Sequence, residues 1–242
     1  MAAPLGWTVD ETGGCAVVAV HGRLDLGGTP GLRTVLLNCL AEQPDGLLVD
    51  LSAVGIGDET AFAVLDAVAT QAARWPGRPL LVCAPPAAVE ELLGRPGFGR
   101  LSIYASIEDG RRAVDKDHAA VPSISDSLLP VAGAARHARN LATEACVGWG
   151  LPELVGPASL VVSELVANAV EHARTMMTVT IARPSRHVHI AVRDGVPREP
   201  VLGQSPGLAE RGRGLMLVEN VAAYWGWLPS RDGKVVWAAL AV

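Results

Sequence analysis

The sequence predicts a two-domain α/β protein. Three observations lead there: strand-like and helix-like apolar patterns alternate through the first half, a polar Ser- and Pro-containing stretch interrupts them, and a second patterned half follows. At 242 residues with 50% apolar side chains, the chain has material for a core in each half. The expected division is 1–115, a linker at 116–129, and 130–242.

In the first half, 15–20, 46–51, 79–84 and 101–105 read as strands. Helical patterns at 32–42, 60–75, 87–93 and 108–114 alternate with them. Strands separated by helices imply a mostly parallel sheet. Residues 116–129 carry Pro122, Ser123, Ser125, Asp126 and Ser127 with little periodicity, the composition of a linker. About 15 flexible residues have a reach near 20 Å, which would hold the tethered domains at roughly millimolar effective concentration.

In the second half, 131–148 forms a helix bearing Arg136 and Arg139. The next helix contains Ser163, Glu164, Leu165, Val166, Ala167, Asn168, Ala169, Val170, Glu171 and His172. Stepping about 100° per residue from Glu164, residues Asn168, Glu171, His172 and Thr175 fall within about 80° of it, and the apolar side chains fill the opposite arc. This polar stripe suits chemistry: an Asn oxygen can ligate a hard cation, and a Glu can take a proton. The half-buried strand 188–193 ends at Asp194, Gly195, Val196 and Pro197, a carboxylate before a turn. Gly212, Arg213, Gly214 and Leu215 open another apolar helix, whose first-turn N–H groups suit an anion and whose glycines admit its close approach. Leu217 stands where a dinucleotide fingerprint has its third glycine, which argues against a Rossmann site. Gly233, Lys234, Val235, Val236 and Trp237 begin a last strand.

Charge and cysteine usage narrow the class further. A net charge of −5 gives no footprint for direct nucleic-acid binding. The chain has no run of 18 apolar residues for a membrane span, and residues 1–10 hold no basic residue ahead of an apolar core, so a cytoplasmic location is expected. Cys15, Cys39, Cys83 and Cys146 lie far apart in apolar segments, the pattern of reduced core thiols. His187 and His189 share a strand face without a nearby third ligand, which falls short of a metal site.

The four C-terminal motifs in register resemble the ATP-binding domain of the GHKL superfamily, an α/β sandwich of the Bergerat type, and within it the anti-sigma factor serine kinases of partner-switching systems. The resemblance covers about 130–242. It implies ATP and Mg²⁺ as cofactors, with Asn168 ligating the magnesium, Glu164 as general base and Asp194 bonding the adenine amino group. Gly195 follows in the adenine turn, and Gly212, Arg213, Gly214 and Leu215 border the phosphates beneath a lid at 197–211. The helix at 131–148 corresponds to one that contributes dimer and sigma-factor contacts in related kinases. Two departures stand out: Asp194 is followed directly by Gly195, where the family has D-x-G, and Val235 stands where related chains often carry Thr.

Residues 5–115 resemble the STAS domain, the fold of anti-anti-sigma factors, through Gly22, Arg23, Leu24 and Asp25 and the run from Val49 to Asp58. In phosphorylatable members a Ser directly after Asp accepts phosphate from the partner kinase. Here the run is Asp58, Glu59, Thr60, so the acceptor-equivalent position is Glu59. Two readings follow: Glu59 places about one negative charge where a phosphate would place more, or it is a good first-turn residue in a domain that no longer switches. Two functions are likewise open. One is an anti-sigma factor with serine/threonine kinase activity toward a separate STAS protein, its own STAS domain being a further candidate partner in cis. The other is a non-catalytic module that sequesters a sigma factor or STAS partner.

Overall fold

Residues 4–98, 101–117, 121–184, 186–200 and 214–242 are described by the computed structural model. The chain divides into two units, Met1–Ala119 and Ala120–Val242.

The first unit is built on a five-stranded sheet. Its strands are β1 (Gly6–Asp10), β2 (Cys15–Leu24), β3 (Gly46–Ile56), β4 (Leu80–Cys83) and β5 (Ser102–Tyr104), in spatial order β1-β2-β3-β4-β5. Helices α1 (Thr29–Ala41), α2 (Ala63–Arg74), α3 (Ala87–Leu93) and α4 (Ile107–Asp117) accompany the parallel strands. Among the described residues of this sheet, β1–β2 pair antiparallel and the other neighbours pair parallel. The central strand β3 reads Leu47, Leu48, Val49 and Leu51, all fully buried, because helices cover both faces of a parallel sheet. At its end the chain must turn tightly: a Cβ on Gly57 would lie 2.6 Å from the Leu24 carbonyl oxygen, so glycine is required there. The Gly57 and Asp58 N–H groups both donate to that carbonyl, at 2.8 and 2.9 Å. This fixes where Glu59 emerges, at the carboxyl end of a central strand.

The second unit has an antiparallel sheet backed by helices. Strands β6 (Ser123–Leu128), β7 (Met177–Ala182), β8 (His187–Asp194), β9 (Tyr224–Ser230) and β10 (Gly233–Ala241) stand in the order β6-β7-β8-β10-β9. Helices α5 (Ala134–Gly148) and α6 (Val155–His172) pack together through Ala134, Ala138, Ala142 and Ala145, whose small side chains let the axes approach. The short helix α7 (Gly214–Val221) contributes Leu215 and Val218 to the same core. One stripe of α6, including Val161, Leu165 and Ala169, packs in one core with Val179, Ile190, Val192 and Val236.

Two expectations need correction. Segment 116–129 is not an open linker: α4 runs to Asp117, and Ser123–Leu128 pairs antiparallel with β7. Its exposed Ser residues alternate with the more covered Ile124, Asp126 and Leu128, which suits an edge strand with one face to solvent. Second, Pro152–His172 does have the length and hydropathy of a membrane span, with a mean hydropathy of 1.3. Its apolar stripe is packed in the core with the sheet, which accounts for that composition without a bilayer. All four cysteines are buried, and burial pushes the Cys83 thiol up to about 12.

Candidate functional site

Helix α6 carries the polar stripe opposite its buried face. Glu164 and Asn168 lie half-buried one turn apart, and His172 is exposed a turn further on. A cavity of about 150 Å³ opens beside Asn168 and His172, with Val196, Arg198, Glu199 and Lys234 forming much of its wall. Glu199 is steadied by the Trp227 indole, whose Nε1 donates to Oε1 at 3.2 Å. Glu164 lies against the start of α7: a Cβ on Gly214 would come 2.5 Å from its Oε2. Glycine at this position therefore admits a carboxylate at a helix N-terminus, where the dipole favours negative charge.

Asp194 ends β8, and its register partner across the ladder is Lys234 of β10. The Lys234 ammonium lies 2.9 Å from both Asp194 carboxylate oxygens and donates to the Val196 carbonyl at 3.0 Å. Asp194 Oδ1 also accepts the Val196 N–H at 2.9 Å, and the next turn residue, Gly195, donates its N–H to Thr175 Oγ1 at 2.9 Å. Both charged residues are buried, at 4% and 5% exposure. Such a pair is tolerated only because each charge finds its partner.

In the first unit, Asp58 caps the 3₁₀ turn Glu59–Phe62 that leads into α2. Its Oδ1 accepts from the Thr60 hydroxyl at 2.6 Å and the Thr60 N–H at 2.8 Å. These two hydrogen bonds hold the Asp58 carboxyl below the usual carboxylate range. Glu59 Oε2 accepts from Arg95 Nη1 at 2.7 Å, with both side chains about half exposed. A pair so open to solvent is worth about 1 kcal/mol or less, so its contribution is to aim Glu59 rather than to stabilise the fold.

Residues 6–110 match the STAS domain family, and residues 130–239 match the histidine kinase-like ATPase domain. The chain joins a STAS domain to a histidine kinase-like ATPase domain. Similar solved structures include an anti-sigma factor antagonist from Mycobacterium paratuberculosis, 25% identical, covering 48% of this chain and 99% of its own, with a TM-score of 0.42. The phosphorylated form of the Bacillus cell fate determinant SpoIIAA is 13% identical, covering 47% and 100%, with a TM-score of 0.37. A serine-to-glutamate variant of Moorella thermoacetica RsbS is 22% identical, covering 46% and 95%, with a TM-score of 0.38. No curated protein matches the chain.

Within the ATPase domain, Glu164, Asn168 and Gly214 are brought to the same side of α6, with Leu215 buried behind Gly214. Asp194 reaches the end of the same sheet but is covered by Lys234. Gly212, Arg213 and the lid segment from 201 onward lie outside the described residues. Val235, singled out above for its missing hydroxyl, alternates with Lys234 and so points to the opposite face of β10. Lys234, its neighbour in the same motif, is the residue that lines the cavity. Its strand parity carried the signal, since Lys234, Val236, Ala238 and Leu240 share one face and the last three are core. In the STAS domain, Arg95 follows α3 and lies 36 positions from Glu59, a distance at which no local sequence pattern announces the contact.

Proposed function

We propose that the chain is an ATP-binding partner-switching regulator, an anti-sigma factor of the serine/threonine kinase type acting on a separate STAS protein. The observation that carries this reading is the placement of Glu164 and Asn168 one turn apart on the open face of α6, with Glu164 against the start of α7. It gains support from the presence of a STAS domain on the same chain. Oxygen donors and a glycine-bordered helix start fit the magnesium and phosphate end of ATP. The base end fits less well, because Asp194 already holds an ammonium.

Bound Mg-ATP supplies the transferable phosphoryl group. Asn168 would hold the magnesium through its amide oxygen. Glu164, half-buried on α6, would take the proton of the incoming hydroxyl. Gly214 lets the Glu164 carboxylate lie against the start of α7, and Gly212 and Arg213 are assigned by motif to the phosphate border. The expected location is the cytoplasm, with a sigma factor or STAS protein as partner and the arginines of α5 as candidate dimer contacts.

A second reading, a non-catalytic module that sequesters its partner, is favoured by the engaged Asp194 and by Glu59 at the acceptor-equivalent position. One experiment separates them: affinity capture of partners with and without Mg-ATP, followed by radiolabelled phosphate transfer to any STAS protein recovered. Transfer supports the kinase, and nucleotide-dependent capture without transfer supports sequestration. A chain that neither binds ATP nor retains a STAS or sigma partner overturns both.

A further inference from the structure

The β7–β8 ladder ends at the Met177–Asp194 pair, and the turn beyond it is held by side chains. From one side Lys234 of β10 donates to the Asp194 carboxylate and to the Val196 carbonyl, and Asp194 Oδ1 accepts the Val196 N–H. From the other, the Thr175 hydroxyl accepts the Gly195 N–H at 2.9 Å. The approach is close: a Cβ on Gly195 would come 3.3 Å from both Cγ2 and Oγ1 of Thr175, so a residue without a side chain seats best there.

Thr175 reaches this turn because of how α6 ends. The Ala173 and Arg174 N–H groups both donate to the Ala169 carbonyl, at 2.9 and 3.1 Å, and Arg174 takes a left-handed φ of 55°, uncommon outside glycine. That conformation closes the helix and leads the chain toward β7, with Thr175 beside Gly195. The same helix lines the cavity with Asn168 and His172, and the segment after the turn lines it with Val196, Arg198, Glu199 and Pro200. The Thr175 hydroxyl therefore joins the end of the helix that lines the cavity to the start of the segment that completes it.

We infer that Thr175 is a positioning residue of the nucleotide site: its hydroxyl holds the Gly195–Val196 turn, and with it the segment that runs to Pro200, in place relative to α6. This rests on the proposed nucleotide site and adds to it a residue outside the motifs. A wall already ordered before the ligand arrives loses no further freedom on binding, which preserves affinity. Without the hydroxyl, the ladder still fixes β8 as far as Asp194, so the loosening falls on the segment that lines the cavity.

The test compares wild type, Thr175→Val and Thr175→Ser as full chains, by titration calorimetry with Mg-ATP and by hydrogen exchange at the Gly195 amide without ligand. Valine keeps the shape and loses the acceptor, whereas serine keeps the hydroxyl. Thr175→Val is expected to raise Kd about fivefold and to speed exchange at Gly195 by a similar factor, the scale of one ordinary hydrogen bond. Thr175→Ser should stay within about twofold of wild type in both. A residue that serves stability alone would lower Tm and leave Kd unchanged well below the transition. Wild-type affinity in Thr175→Val therefore overturns the inference whatever its Tm, and so does a Thr175→Ser chain that binds as weakly as Thr175→Val. Failure of wild type to bind Mg-ATP is a different result: it overturns the nucleotide site itself and leaves Thr175 no ligand to position.

Discussion

Replacing Asp194 with Ala should strongly destabilise the ATPase domain. The substitution strands the Lys234 ammonium, whose side chain is 6% exposed, with the Val196 carbonyl as its remaining partner among the described residues. Breaking a buried pair by removing one member costs about 3–5 kcal/mol. The Val196 N–H loses its acceptor as well, adding about 1 kcal/mol. For a unit the size of Ala120–Val242, each kcal/mol lowers Tm by about 3–5 °C, so a fall of roughly 12–30 °C is expected. Differential scanning calorimetry of the full chain measures it, with Leu165→Ala, a core truncation in α6, marking the transition that belongs to this domain. The double substitution Asp194→Leu with Lys234→Met replaces both charges with apolar groups and should recover most of the loss. A shift of only a few degrees in Asp194→Ala would refute the argument, because it would mean that water reaches the ammonium and the pair is not a buried one.

Four other outcomes follow from the same geometry. Asn168→Ala should abolish the magnesium dependence of nucleotide affinity while leaving magnesium-independent binding measurable, as titration calorimetry with and without the metal would record. Glu164→Gln should spare ATP binding and lower phosphate transfer by about 10² to 10⁴; equal rates in the two proteins would remove Glu164 from the role of base. Glu59→Ser places a hydroxyl beside Asp58, and mass spectrometry after incubation with Mg-ATP should find one phosphate at that position and none on wild-type Thr60, whose hydroxyl is held by Asp58 at 2.6 Å. His189 is buried, and desolvation, with His187 second, pushes its pKa down to about 4 from 6.5. The neutral ring is favoured in the folded state, so its contribution is complete above pH 6.5 and is lost as pH falls toward 4, up to about 3 kcal/mol in all. Urea unfolding of His189→Leu across that window should show a flatter acid limb than wild type.

The strands that carry the weakest signal in sequence are mostly the ones at sheet edges. β1, β6 and β9 each border a sheet, where one row of backbone groups has no neighbouring strand to pair with and one side of the residue pattern can stay polar. β6 reads Ser-Ile-Ser-Asp-Ser-Leu, short and polar enough to pass for a linker. β9 contains Gly226 and Pro229, residues that demote a central strand but are tolerated at an edge. β7 is different: it is not among the expected strands, although Met177, Val179 and Ile181 alternate in the manner of a half-buried strand. The central strands β3 and β10, by contrast, announce themselves as near-continuous apolar runs. The same contrast governs the site. Glu164 and Asn168 lie on one helix, so a step of about 100° per residue places them, whereas the Arg95 contact with Glu59 depends on tertiary packing.

Glu59 and Lys234 have a common physical consequence. At the STAS turn, a carboxylate supplies negative charge at the acceptor-equivalent position and an arginine meets it. In the ATPase domain, an ammonium satisfies the carboxylate at the end of β8. On the proposed reading, the chain provides from within the negative charge that a phosphoryl group would bring to the first place, and the hydrogen-bond donor that a base amine would bring to the second. A ligand shifts a conformational equilibrium only by its difference in affinity for the two states. On that reading the charge at the STAS turn is already balanced, that difference shrinks, and the turn is expected to respond little to phosphorylation. On the proposed reading, the switching element is therefore the hydroxyl-bearing loop of the separate STAS protein. The attached STAS domain, held in one charge state by Glu59, then serves to dock or select that partner.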